Sequence, residues 1–220
     1  AGDIEESKAD FINCDQAVAV VANRYDGIDF AGEECRLLFI EGLPKAVNSQ
    51  ERFLMTRMGA NALYNERIQT RVVQAIGRCT RSLEDYSAVV VSGEELPDYL
   101  ANVRRRPFFH PELQAEISFG VLQSKDATLA DLIENFEMFL KNDLDWEQAN
   151  NQIVEERKRA QQKFLPAIDE LHQTVGWEID YQTALWHHNY ENAVSSAERV
   201  LGVLTAPELR GYRALWNYLA

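Results

Sequence analysis

The chain has 220 residues, 46% of them apolar and 26% charged, with 35 acidic against 22 basic side chains and a formal charge of −13. That length allows a sizeable core and one or two domains, while the acidic balance excludes a stand-alone basic nucleic-acid binder. An acidic start over residues 1–10 and the lack of any apolar run near the roughly 18–20 residues that span a bilayer exclude a secretory signal and a membrane helix.

In chain order, Ala17 to Ala22 is a continuous β-prone run and the first predicted strand. It leads into Arg24-Tyr25-Asp26-Gly27-Ile28-Asp29-Phe30. A glycine flanked by acids after a buried strand lets backbone approach a ligand while carboxylates orient its hydroxyls or metal waters, although Asp-Gly is also an ordinary turn signal. A second predicted strand, Arg36 to Ile40, ends in the turn Gly42-Leu43-Pro44, and Ser87 to Val91 is the third. Runs apolar throughout fit strands buried on both faces of a parallel sheet. The residues between the second and third strands carry Phe53, Leu54, Met58, Leu63, Ile68, Val72 and Ile76 at helical spacing. Strand, helix, strand at this distance is an α/β crossover.

Within that crossover lies Gln74-Ala75-Ile76-Gly77-Arg78-Cys79-Thr80-Arg81-Ser82. Spacing of i, i+4, i+7 predicts Gln74, Arg78 and Arg81 on one helical face. Paired arginines with a glutamine suit the charge of a phosphoryl-transfer transition state, and a structural stripe paired with Glu84 and Asp85 is the alternative. Gly77 inside a helix costs about 1 kcal/mol relative to alanine, so close packing or a close ligand is expected there. Charge separates along the chain: residues 52–106 hold nine arginines, no lysine and six acids, whereas residues 111–220 hold nine basic and 18 acidic groups. Arginine without lysine points to planar recognition of phosphate or carboxylate.

After Pro107 the strand signal stops. Helices are predicted from Pro111 onward, broken near residues 124–126, 141–143, 174–176 and 205–207, with Trp146 to Leu171 as one long polar segment that Pro166 ends or kinks. The expected division is 1–107 and 108–220. Arg104-Arg105-Arg106-Pro107-Phe108-Phe109-His110 reads as a linker with packed aromatics ahead of a phosphate-and-base contact. Trp186, Tyr212 and Trp216 read as helix-packing core. His187-His188 reads as surface, and Trp186, Tyr190 and Ala193 only faintly echo a tetratricopeptide helix pair. The three cysteines, Cys14, Cys35 and Cys79, fit no disulfide framework and read as small apolar residues in a reducing cytoplasm.

The two motifs, in this order, resemble the second motor lobe of a superfamily 2 helicase, closest to the XPD/DinG group, over about residues 15–100. The family's motif V is a Glu/Asp-Gly-Ile-Asp-Phe turn after a strand. Its motif VI is a Gln-x-x-Gly-Arg-x-x-Arg helix, followed here by Asp85-Tyr86 and Val89-Val90-Val91. The resemblance implies an α/β fold: a partial RecA-like parallel sheet with helices on both faces, followed by an all-α extension. It implies that Arg78 and Arg81 act as arginine fingers on the γ-phosphate, with Gln74 facing the same phosphate and its attacking water. Gly27, Asp29 and Asp26, an aspartate where glutamate is commoner, would lie at the nucleotide. Arg24 and Tyr25 would face the nucleic-acid track.

The sequence holds no G-x-x-x-x-G-K-[ST] phosphate loop and no DEAD- or DEAH-type box. The expectation is therefore a portion of a longer protein, inactive alone. Its ATP and Mg2+ would be bound mainly by a missing N-terminal motor lobe, with DNA favoured over RNA as partner and no iron–sulfur cluster or metal site in this segment. The alternative is a non-catalytic module whose acidic helical half docks a partner protein.

Overall fold

The computed structural model describes residues 7–22, 28–44, 48–56, 61–80, 85–164 and 167–220, with side chains placed for these except 54–56 and 61–64. Arg24, Tyr25, Asp26, Gly27 and Arg81 lie outside the described residues, as does Pro166.

Helix α1 spans Ala9–Ile12, and a 3-10 turn at Gly32–Glu34 leads into strand β1, Leu37–Glu41. The crossover holds α2, Ser49–Thr56, and α3, Asn61–Ile76, which passes into a 3-10 turn at Gly77–Cys79 before β2, Ala88–Ser92. The strands are parallel, with Leu37 opposite Ala88 and Glu41 opposite Ser92. This is the expected strand–helix–strand α/β unit, a partial RecA-like sheet.

Helices follow: α4 (Glu95–Ala101), α5 (Pro111–Ser124), α6 (Leu129–Lys141), α7 (Leu144–Arg159), α8 (Ile168–Trp186), α9 (Tyr190–Val203) and α10 (Arg210–Leu219). No strand occurs after Ser92 among the described residues, so an all-α portion completes the fold. No helix among the described residues is long and apolar enough to cross a membrane.

Two expectations about strands are corrected. Ala17 to Ala22 forms no strand. Val18 and Val20 are 88% and 79% exposed, and only Ala19 packs inward, against the cluster of Ile28, Phe30 and Cys79. A β-prone run becomes a strand only when a neighbour accepts its backbone bonds, and none does so here among the described residues. The sheet is also not buried on both faces. Leu38 and Ile40 are half-buried beside Val89 and Val91, while Phe39 and Val90, opposite each other on the other face, stay exposed.

The chain divides into two compact units, residues 1–44 with 69–163, and residues 45–68 with 164–220. In the first, the junction packs its aromatics: Phe109 is buried, edge-on to Tyr99 at 6.2 Å, and Arg105 lies over the Tyr99 ring. The buried Gln114 amide donates to the carbonyls of Phe109 (2.7 Å) and Gln161 (3.1 Å). Breaks between helices follow their caps. Thr128 and Asp131 form a capping box on α6, Asn142 ends that helix in the left-handed region, and Asp143 caps α7. Helix α7 stops at Arg159, well before Leu171.

In the second unit α8, α9 and α10 enclose Leu171, Tyr181, Ala197, Val200, Leu204, Leu209, Tyr212 and Trp216. Tyr181 and Tyr212 both meet Trp216 edge-to-face, at 5.1 and 6.1 Å. The break expected near 174–176 is absent: α8 runs straight through Gly176. Leu171 and Thr174 are buried one turn apart, and the Thr174 hydroxyl donates to the Leu171 carbonyl, so tertiary packing outweighs the glycine. The turn falls instead at residues 187–189, where His188 takes φ 56°. Trp186, at the last position of α8, is therefore 83% exposed rather than part of the core.

Candidate nucleotide-facing site

The segment Ile28-Asp29-Phe30 and the end of α3 are bonded directly to each other. The Phe30 amide donates to the Arg78 carbonyl at 3.0 Å. In return, Arg78 Nη1 donates to the Ile28 carbonyl at 2.7 Å and to Asp29 Oδ1 at 3.1 Å. Ile28, Phe30 and Cys79 are buried together, and Phe11 meets Phe30 edge-to-face at 5.2 Å.

The reason for this geometry is local. The α-helix stops at Ile76 and tightens into a 3-10 turn over Gly77–Cys79, after which Thr80 is extended. A tighter turn changes the rotation per residue, so the expected stripe does not continue. Gln74 faces solvent on the helix, and Arg78 turns inward with only 9% of its side chain exposed. Asp29 is half exposed. The Arg78 Nε is buried with no hydrogen-bond partner among the described residues. A Cβ at Gly77 would meet no described atom within 4 Å, so close packing does not account for this glycine.

A brace unread in the sequence holds the same turn. Lys8 Nζ donates to the Asp29 carbonyl at 2.9 Å and pairs with Glu34, whose carboxyl is held below its usual range by that lysine. Asp85 Oδ1 accepts from the Gly32 amide at 3.0 Å. Arg36 lies over the Tyr86 ring at 3.7 Å and donates to the Tyr86 carbonyl at 2.7 Å. A lone lysine just ahead of a one-turn helix carries no sequence signal for such a role. The Asp-Tyr step before β2 was visible as a pattern, but its bonding was not.

Cys79 is fully buried beside Cys35, and burial pushes its thiol up to about 12. Such a group is protonated and unreactive at neutral pH.

Residues 7–98 match the family model described as a helicase C-terminal domain. The match spans Asp29, Gln74 and Arg78, together with positions 24–27 and 81, and it supports a helicase-related role. Comparison with curated proteins and with solved structures finds no match. Within this helicase-like segment, the structure brings Asp29 and Arg78 into contact and leaves Gln74 on the surface. Elsewhere, His188 Nδ1 lies 3.4 Å from the Tyr190 hydroxyl, and His110 caps α5.

Proposed function

We propose that residues 7–98 belong to the second motor lobe of an ATP-dependent superfamily 2 helicase or translocase, nearest the XPD/DinG group, with DNA as the favoured track. The observation that carries this reading is the mutual bonding of Ile28–Phe30 with Arg78, inside the stretch similar to a helicase C-terminal domain. It brings together two segments that this reading assigns to one interlobe surface.

In this reading ATP and Mg2+ are held mainly by another lobe of the parent protein, and Mg2+ supplies charge neutralisation on the phosphates. The residues here fit that role unequally. Gln74 is exposed and makes no hydrogen bond among the described residues, so its carboxamide is available to a phosphate oxygen. Arg78 spends Nη1 on Ile28 and Asp29. It is thus a positioning residue for Asp29, and Asp26 and Gly27 are assigned with Asp29 to the nucleotide. Arg81 then carries the cationic contact with the transferred phosphoryl group. Arg24 and Tyr25 face the nucleic-acid track.

The test is DNA-stimulated ATPase of the parent protein carrying Arg81→Ala. A loss of roughly 10³-fold in kcat is expected from removal of an arginine finger. An unchanged rate overturns the assignment. A second reading, partner docking by the acidic helical half, is favoured by α6, which leaves Leu129 73% and Ile133 50% exposed beside Glu134 and Glu137. It predicts a protein complex of the full chain that Ile133→Ser disrupts and Arg81→Ala spares.

A further inference from the structure

A cleft of about 370 Å³ opens between α5, α6 and α7 in the first compact unit. Its walls combine two kinds of chemistry. Phe119 from α5 and Trp146 from α7 supply flat apolar surface, and Trp146 is held edge-on by Phe139 at 4.9 Å. Four carboxamides surround that surface: Gln123 from α5, Asn135 from α6, and Gln148 and Gln152 from α7. No charged side chain lines the cleft. None of the four carboxamides makes a hydrogen bond among the described residues, so their donors and acceptors are unspent.

This combination defines a ligand. A carboxamide offers a donor pair and an acceptor side by side, matching the alternating edge of a nucleobase, and asparagine and glutamine pair with adenine in this way. Aromatic rings provide the stacking surface for the base plane. A volume of this size belongs to the range of small-molecule sites lined by apolar groups with a few polar ones. The surroundings decide what the base is attached to. Residues 126–150, which supply most of α6 and the start of α7, hold seven acidic groups and one lysine. That field repels phosphate. We infer that this cleft binds a nucleobase in a phosphate-free form, a nucleoside, rather than a nucleotide or a nucleic-acid strand.

The inference stands apart from the motor reading, since it uses no residue of the helicase-like segment. It is tested by calorimetry on the whole 220-residue chain, titrated in turn with adenosine, adenosine monophosphate, single-stranded oligodeoxyadenylate and maltose. Adenosine is expected to bind saturably, with the monophosphate and the oligonucleotide weaker. Gln148 and Gln152 are exposed, so Gln148→Ala and Gln152→Ala leave the fold intact by circular dichroism. The double variant is expected to weaken adenosine binding roughly tenfold, the loss of one to two hydrogen bonds. Four results overturn the inference: no saturable adenosine binding, binding indifferent to the double variant, tighter binding of the monophosphate or the oligonucleotide, or tighter binding of maltose.

Discussion

Arg78 takes a permanent charge into a site where 9% of its side chain meets solvent, and its partners are one carbonyl and one carboxylate. Arg78→Ala removes the charged donor that serves the Ile28 carbonyl and Asp29, so it is expected to cost about 2 kcal/mol in denaturant unfolding. Both bonds leave the single nitrogen Nη1, and a lysine ammonium also offers several donors on one nitrogen, so Arg78→Lys should recover part of that loss. The thiols give an independent reading of the same corner. Cys14 is exposed, Cys35 half-buried and Cys79 buried with its pKa pushed up to about 12. Native protein at neutral pH is therefore expected to alkylate fastest at Cys14, with Cys79 labelled only on unfolding, as read by peptide mass spectrometry. The order of Gln74 and Arg78 at the end of α3 was legible in the sequence. The inward turn of Arg78 was not, because it depends on a switch from α-helix to 3-10 helix that side-chain spacing does not encode.

Helix ends were easier to read than helix continuity. Asn142-Asp143 and Thr205-Ala206-Pro207 carry their own stop and start chemistry, and the chain turns at both. Gly176 carries a stop signal as well, yet α8 passes through it. A Cβ there meets no described atom within 4 Å, so Gly176→Ala is expected to raise stability by about 1 kcal/mol, measured by thermal or denaturant unfolding. The turn ahead of α10 shows the opposite case, in which a distant residue sets the local structure. Glu170 on α8 accepts from the Thr205 amide (2.7 Å), the Thr205 hydroxyl (2.8 Å) and the Ala206 amide (3.0 Å). These bonds hold its carboxyl below the ordinary range, the Ala206 amide contributing most. Because the folded pKa is the lower one, the stabilisation is present at neutral pH and is lost as pH falls through that folded value. Comparison with Glu170→Gln should show a wild-type advantage at pH 7 that vanishes in acid.

For the molecule as a whole, the sequence divided the chain where its strands give way to helices, and the element order has that change after Ser92. The compact units follow a different line, with residues 69–163 grouped together. The grouping comes from contacts that no local pattern announces, such as the Lys163 amide donating to the Pro107 carbonyl at 2.7 Å. The sheet shows the same limit. Val18 and Val20 have the composition of strand residues, but pairing requires a neighbouring backbone, which hydropathy alone cannot supply. Net charge of −13 remains a sound guide to solution behaviour. Its concentration between residues 126 and 150 decides which ligands can approach α6 and α7.

The bond from the Phe30 amide to the Arg78 carbonyl ties two stretches of main chain nearly fifty positions apart. Main-chain atoms cannot rotate away as a side chain can, so displacement of either stretch must carry the other or sever that link. Deuterium uptake at Phe30 therefore becomes a gauge of the joint: slow while the two travel together, faster in Arg78→Ala, where the flanking guanidinium clasp is gone.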